Sequence, residues 1–262
     1  MAQITQQQLN DYINSKDGLT VSTYADFTRF PNPSGSGAIN VLDLSGLDFS
    51  YLNLLSATVG NGCNFSNTLW LNTTINNATL QSRVAATPTN FTNAVFTNVN
   101  ASSSFPGLQF NLSRSTMANV KMRECNFAGG FLQTCNFTNA DIKNCDFSKV
   151  WFNGSTFDST TVIESCDFSS TIFTAAGATQ VELNGVTFIN CNFTDAYFLV
   201  VMRNATFINC NFTDARVSFT STIANQSVTY DACSFEQFIF LSSANVTVTV
   251  KDNCYTAKTL FF

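Results

Sequence analysis

The chain has 262 residues, of which only 11% are charged, for a net charge of −5 at pH 7. Twelve basic residues and so modest a charge argue against a nucleic-acid-binding surface. The absence of histidine excludes Ser-His-Asp and Cys-His nucleophile systems. The longest apolar run, Ala196–Met202, is far shorter than the ~20 residues that cross a bilayer, and no membrane partner is expected. The start, MAQITQQQ, lacks the basic segment and apolar core of a secretory signal.

The first forty residues do not repeat. Thr5 and Gln8 suit a capping box and Ile4 and Leu9 a hydrophobic staple, so a short helix is predicted over about 6–16, with Gly18 suited to its stop. Leu9, Tyr12 and Ile13 share one face of that helix, which would cover the open end of the next element or dock on a partner. Val21–Phe30 reads as a strand or an irregular coil, and Pro31–Gly37 as a loop.

From 41 to 241 the chain reads in fives. The clearest stretch, Ser115–Glu164, runs STMAN, VKMRE, CNFAG, GFLQT, CNFTN, ADIKN, CDFSK, VWFNG, STFDS, TTVIE. The central residues, Met117, Met122, Phe127, Leu132, Phe137, Ile142, Phe147, Phe152, Phe157 and Val162, are all large and apolar. Two positions before each centre the residue is small or β-branched. A period of five belongs to neither helix nor strand, and fixed-period self-similarity marks a solenoid. Earlier centres are Leu44, Phe49, Leu54 and Val59, then Phe65, Trp70, Ile75, Leu80, Phe91 and Phe96. One inserted residue beyond Val162 leads to Phe168 and Phe173, a weak centre at Ala178, then Leu183, Phe188, Phe193 and Phe198. A one-residue deletion leads to Phe207, Phe212 and Val217, and the series closes with Tyr230, Phe235 and Phe240. The fives fail at 83–88, 101–112, 175–180 and 221–228, where loops leave a solenoid. The string TFINCNFTDA occurs at 187–196 and 206–215, an offset of 19 that equals four fives less the deletion. Ala244–Val250 alternates like a half-buried strand and, with Leu260, Phe261 and Phe262, reads as a C-terminal cap over 242–262 whose tail folds back or enters a neighbour.

The fives CNFTN (135–139), CDFSK (145–149) and CNFTD (191–195 and 210–214) closely resemble the pentapeptide-repeat family motif: a small residue, Asp/Asn, Leu/Phe, a small polar residue, then a variable one. The resemblance implies an all-β, right-handed quadrilateral parallel β-helix with four fives to a coil. About ten coils would span 41–241, between a short N-terminal helix cap (1–40) and a C-terminal strand and tail cap. On that fold residues twenty apart stack. The core ladder would be Met117/Phe137/Phe157, Met122/Ile142/Val162, Phe127/Phe147/Phe168 and Leu132/Phe152/Phe173. Cys125/Cys145/Cys166 would form one thiol column and Cys191/Cys210/Cys233 another. With apolar column neighbours, no CxxC and no histidine to complete a zinc set, these thiols read as reduced packing groups. Neither metal nor cofactor is predicted. Glu124 and Glu164 would share an outward column with Asn144 between them, beside Arg123 and Lys143, which describes a solvated surface and not a glycosidase carboxylate pair.

The family's best-known activity is inhibition or protection of DNA gyrase by mimicry of duplex DNA with a strongly acidic rod. Asp146/Asp167 and Asp195/Asp214 give short acidic steps, but Arg123, Lys143, Lys149, Arg203 and Arg216 interrupt the surface. The sequence therefore reads as a non-enzymatic structural scaffold: a virion component (minor capsid, cement or fibre-associated protein), assembled in the host cytoplasm and bridging larger subunits. The alternative is a cytoplasmic DNA mimic that binds a type II topoisomerase. Expected partners are capsid or other virion proteins, or further copies, with Leu9, Tyr12, Ile13, Leu260, Phe261 and Phe262 as candidate contacts.

Overall fold

The computed structural model describes residues 5–14, 24–26, 43–52, 55–58, 63–75, 79–80, 88–101, 110–177, 179–219, 225–241, 246–257 and 260–261. Within each five the backbone makes one short extended piece and one corner. Cys135-Asn136-Phe137-Thr138-Asn139 is representative. Cys135 and Phe137 are buried, and Asn139 turns the corner with φ 55°. The Asn136 carboxamide oxygen accepts the Thr138 N–H at 2.9 Å and the Thr138 hydroxyl at 2.6 Å. The same turn recurs at Asn90, Asp146, Asp167, Asn192 and Asn211. The motif's Asx at its second position and Ser/Thr at its fourth are thus one local hydrogen-bonded unit. This unit also generates the Asn-Phe-Thr triplets that imitate glycosylation sites. The fifth position is a left-handed corner, most often filled by Asn, Asp or Gly, where the steric cost is small, though Arg114, Glu124, Thr134 and Lys149 take it too. Asn119, Asn144, Asp195, Asp214 and Gly129 all carry positive φ.

Four columns of outward residues run up the molecule. The first face carries Asn64, Asn90, Thr116, Asn136 and Thr156. The second is a nine-stranded sheet from Leu69–Leu71 to Val246–Val250. The third carries Asn100, Asn126, Asp146, Asp167, Asn192, Asn211 and Ser234. The fourth carries Asn111, Phe131, Trp151, Ile172, Tyr197, Arg216 and Ile239. Every pairing between coils is parallel, and Asn126, Phe131, Asn136 and Asp141 step through the four columns in turn. The fold is a quadrilateral parallel β-helix. Nine strands at ~4.8 Å give the second face a length of about 40 Å.

The interior is filled by stacked rings. Phe127, Phe147, Phe168, Phe193, Phe212 and Phe235 form one ladder, with successive centroids 5.0–5.5 Å apart. Phe152, Phe173 and Phe198 form a second, Phe137 and Phe157 a third pair, and Leu132 continues the fourth-face stack downward.

Three expectations are corrected. The register shift falls before Val162, not after it: Ile163 is the buried centre paired with Ile142, and Val162 points outward, 42% exposed. Asp158 accommodates the extra residue by accepting the Thr160 N–H and hydroxyl in a widened corner. The five around Ala178 is not a face of the coil. Ala176 and Thr179 pair antiparallel, so the chain leaves the coil there in a turn while Thr156 and Phe157 pair directly with Glu182 and Leu183. The C-terminal segment is a further coil. Val246–Val250 pairs parallel with Gln226–Tyr230, Tyr255 with Ser234, and Leu260 and Phe261 with Ile239 and Phe240. Its period-two alternation follows from alternate side chains facing the solenoid interior, where Val246 and Val248 pack against the core.

The helix at the other end spans Gln6–Asn14 and has the capping box: Gln8 Oε1 accepts the Thr5 N–H at 2.8 Å, and Thr5 Oγ1 accepts the Gln8 N–H at 3.2 Å. Leu9 is fully buried in the core. The Gln6 carboxamide donates to the Asp48 carbonyl and accepts the Asp48 N–H, at 2.9 and 2.8 Å, replacing the peptide group of a rung below. An open strand edge is thereby closed by one side chain.

Phe147 lies between Phe127 and Phe168, 5.5 and 5.3 Å away. Phe147→Ala is expected to lower stability by about 3–5 kcal/mol in denaturant unfolding. Phe147→Asp, which leaves an unpaired charge in that ladder, is expected to give no soluble folded protein.

Candidate interaction surface

The four faces differ in chemistry. On the first and third, the outward Asn and Asp side chains are occupied with their own turns and with one another, as in Asn90 to Asn64 at 3.0 Å and Asn192 to Asp167 at 3.0 Å. The second face carries cross-rung ion pairs. Lys143 and Glu164 lie 2.8 Å apart, Arg123 pairs with Asp141 and Lys251 with Asp231. All these partners are partly exposed, so each pair contributes little to stability. Glu164 stacks on Lys143, whereas Glu124 sits at a corner with positive φ. The two carboxylates therefore do not share a column, because the register shift before Val162 moves Glu164 by one position.

The fourth face is apolar. Phe131, Trp151, Ile172 and Tyr197 occupy one outward column on four consecutive coils, and Ile239 continues it beyond Arg216. Trp151 is 42% exposed, Tyr197 37% and Leu241 41%; Phe131, Ile172, Leu199 and Ile239 are half-buried. Phe131 and Trp151 meet edge to face at 5.6 Å. A contiguous exposed apolar column on a solenoid of amides and hydroxyls marks a contact surface.

The chain's insertions border this same face. The spacings Asn64 to Asn90 and Asn90 to Thr116 are 26 residues where a plain coil has 20, and the surplus falls in the sequence between Leu80 and Pro88 and between Ala101 and Phe110. These flank the fourth-face residues Thr79 and Asn111. The turn at Ala176–Thr179 leaves at the corner from the fourth face, after Ile172 and Phe173, to the first, before Glu182 and Leu183. Most of the predicted breaks at 83–88, 101–112 and 221–228 lies outside the described residues. The Ala176–Thr179 turn folds back on the coil below: a Cβ at Gly154, whose φ is +70°, would sit 3.0 Å from Ala176 Cβ and 3.2 Å from the Thr179 carbonyl. The turn thus lies along the corner and leaves the apolar column open.

The stripe was visible in the fives themselves. In GFLQT, VWFNG, TIFTA, AYFLV and FIFLS the second residue is large and apolar where the motif has Asn or Asp. The signal shows only when the fives are wrapped in fours. Of the terminal residues predicted as contacts, Leu9 is buried in the cap, and Leu260 and Phe261 extend the fourth-face sheet. The side chains of Tyr12 and Ile13, and Phe262 as a whole, lie outside the described residues.

The two predicted thiol columns are one, while Cys135 lies on the first face. The ladder Cys125, Cys145, Cys166, Cys191, Cys210, Cys233 and Cys254 sits one residue before the third-face column throughout, because the extruded turn leaves the register unbroken. Sγ–H groups donate to the carbonyls two residues earlier, at 3.2 Å for Cys125 and Cys145 and 3.3 Å for Cys166. The hydrogen bond with Cys145 and burial both push the Cys125 thiol up, and burial pushes Cys135 up to about 12. Among the described residues no group of three or more acidic or thiol side chains is arranged to hold a metal ion, and no helix is long and apolar enough to cross a membrane.

A sequence profile described as pentapeptide repeats matches residues 121–158 in eight copies. No curated protein sequence matches the chain. Among solved structures, the chain is similar to QnrB1, a plasmid-mediated fluoroquinolone resistance protein, in a trypsin-treated variant: 17% identity, 68% of this chain and 86% of the other, TM-score 0.43. It is also similar to HetL, a pentapeptide repeat protein involved in heterocyst differentiation regulation in the cyanobacterium Nostoc sp. strain PCC 7120: 12% identity, 80% and 87% coverage, TM-score 0.37. Rfr23, a pentapeptide repeat protein from the cyanobacterium Cyanothece 51142, shares 12% identity over 80% of this chain and 91% of its own, with a TM-score of 0.17.

Eight of the nine cysteines are buried and Cys254 is half-buried. A thiol reagent at pH 8 is expected to label at most Cys254 promptly in the native protein, and all nine after unfolding in guanidinium. A thiol whose folded pKa is raised contributes stability below its unfolded pKa and loses it as pH rises toward the folded value. With Cys135 at about 12, the thermal midpoint is expected to fall from about pH 9 upward. Prompt labelling of several thiols, or a midpoint flat to pH 11, would contradict the packing role.

Proposed function

Because the chain belongs to the pentapeptide-repeat family, we propose that it is a non-enzymatic protein-interaction scaffold, a stiff rod whose fourth face is its protein contact surface. The observation that carries this reading is the unbroken apolar column Phe131, Trp151, Ile172 and Tyr197, bordered by the chain's insertions. In repeat proteins, insertions gather on the side that binds. The setting we favour is a virion, where the rod would be a minor capsid, cement or fibre-associated component assembled in the host cytoplasm. Its low charge and its faces of Asn, Thr and Ser support that setting.

The other reading is a cytoplasmic mimic of DNA that binds a type II topoisomerase. It rests on the acidic steps Asp146/Asp167 and Asp195/Asp214. On the third face the first step is bounded by Asn126 below and Asn192 above. An acidic run two rungs deep spans about 5 Å, too short to imitate the regular phosphates of a duplex.

A photo-crosslinking residue at position 151, compared with one at third-face Ser169, distinguishes these readings in the native source. Crosslinks to a discrete protein from 151, lost on Tyr197→Glu, are expected. Equal crosslinking from both faces would sink the contact-surface reading. Absence of the chain from purified, protease-stripped particles would remove the virion setting, and inhibition of DNA supercoiling at low micromolar protein would promote the mimic.

A further inference from the structure

Building on the fourth face as the contact surface, we infer that its partner is the same face of a second copy, with the two rods antiparallel. The two-fold axis lies in the interface between the Ile172 and Tyr197 rungs. The outward column reads, in order of height, Phe131, Trp151, Ile172, Tyr197, Arg216, Ile239. Reversed about its midpoint, it sets Ile172 against Tyr197, Trp151 against Arg216 and Phe131 against Ile239. Every pair is complementary. The second outward column treated alike sets Thr174 against Leu199, Asn153 against Ser218 and Gln133 against Leu241.

The charge decides the arrangement. Arg216 is the one ionised residue in the stripe, and the ion pairs of the described residues do not include it. An apolar partner would bury that guanidinium without compensation. A parallel pair of rods maps each rung onto itself and brings Arg216 against Arg216. The antiparallel register places each guanidinium on the other copy's indole, the aromatic that binds cations best. The interface is isologous and closes at two copies, so it makes a dimer and not a filament. The six rungs from Phe131 to Ile239 run about 24 Å, and a contact about 12 Å wide along them buries on the order of 600 Å² over both copies, the size of a weak, reversible dimer. The Ala176–Thr179 turn, folded onto Gly154, leaves the approach free.

Sedimentation equilibrium of the full chain tests the inference with Trp151→Arg and the double variant Trp151→Arg/Arg216→Glu. The wild type is expected to show a monomer–dimer equilibrium. Trp151→Arg sets like charges together at two symmetric contacts and is expected to raise the dissociation constant on the order of 10³-fold, each contact counting about 30-fold. The double variant restores opposite charges across both contacts and is expected to recover dimerisation to within about tenfold of wild type. Position 151 is exposed, so an unchanged thermal midpoint of the monomeric variant shows that its fold is intact. A monomeric wild type, a Trp151→Arg dimer of undiminished affinity, or a double variant that stays monomeric each overturns the inference. If the wild type is monomeric while position 151 still crosslinks a different protein, the contact-surface reading stands alone; if neither occurs, both fall.

Discussion

Every five residues the chain must turn a corner in the left-handed region and return one coil later at strand distance. That constraint places each position directly above its counterpart, so like side chain stacks on like. Where the stacked group can both donate and accept, the result is a ladder: Asn93 donates to Asn67 at 2.9 Å, Asn119 to Asn93 at 2.9 Å and Asn139 to Asn119 at 2.7 Å. Where it is an aromatic ring, the rings stack. Where it is a charge, stacking brings like charges together, as with Arg123 below Lys143. The side chains escape by leaning toward carboxylates, Arg123 to Asp141 and Lys143 to Glu164. A solenoid of this kind tolerates few charges, which accounts for a composition in which Asn replaces Asp at most outward positions.

The core was legible because its signal is redundant: nine successive apolar centres, Met117 to Phe157, leave only one phase. Errors arose where the signal was locally degenerate. Val162 and Ile163 are adjacent, β-branched and equally suited to the interior, and the choice depends on Asp158 holding a widened corner, a hydrogen-bond detail that spacing does not reveal. The five centred on Ala178 had the right interval but no bulk at its centre, and the chain turns out between Ala176 and Thr179 instead of leaving a void in an aromatic ladder. The thiol column looked split because that five was counted as part of the coil. The fourth-face stripe is hidden in the sequence for a different reason. It repeats with a period of one coil and not one five, and it sits at a position where the motif is read for its polar consensus.

That stripe is also where the local rules of the fold are set aside. On the first and third faces an Asx residue accepts the N–H two residues on and holds its own turn, a contribution of about 1 kcal/mol each. Phe131, Trp151, Ile172 and Tyr197 cannot do this, and they leave apolar surface in water as well. Packing does not ask for them, because the interior of the same coils is already filled by Leu132, Phe152, Phe173 and Phe198. Four consecutive coils thus forgo a stabilising turn and line up apolar side chains in one outward column, at the face where the chain also places its insertions. Neither sacrifice improves the solenoid, and both become favourable once that face is covered. The regular shaft supplies the spacing, and the departures from regularity define what the shaft is for.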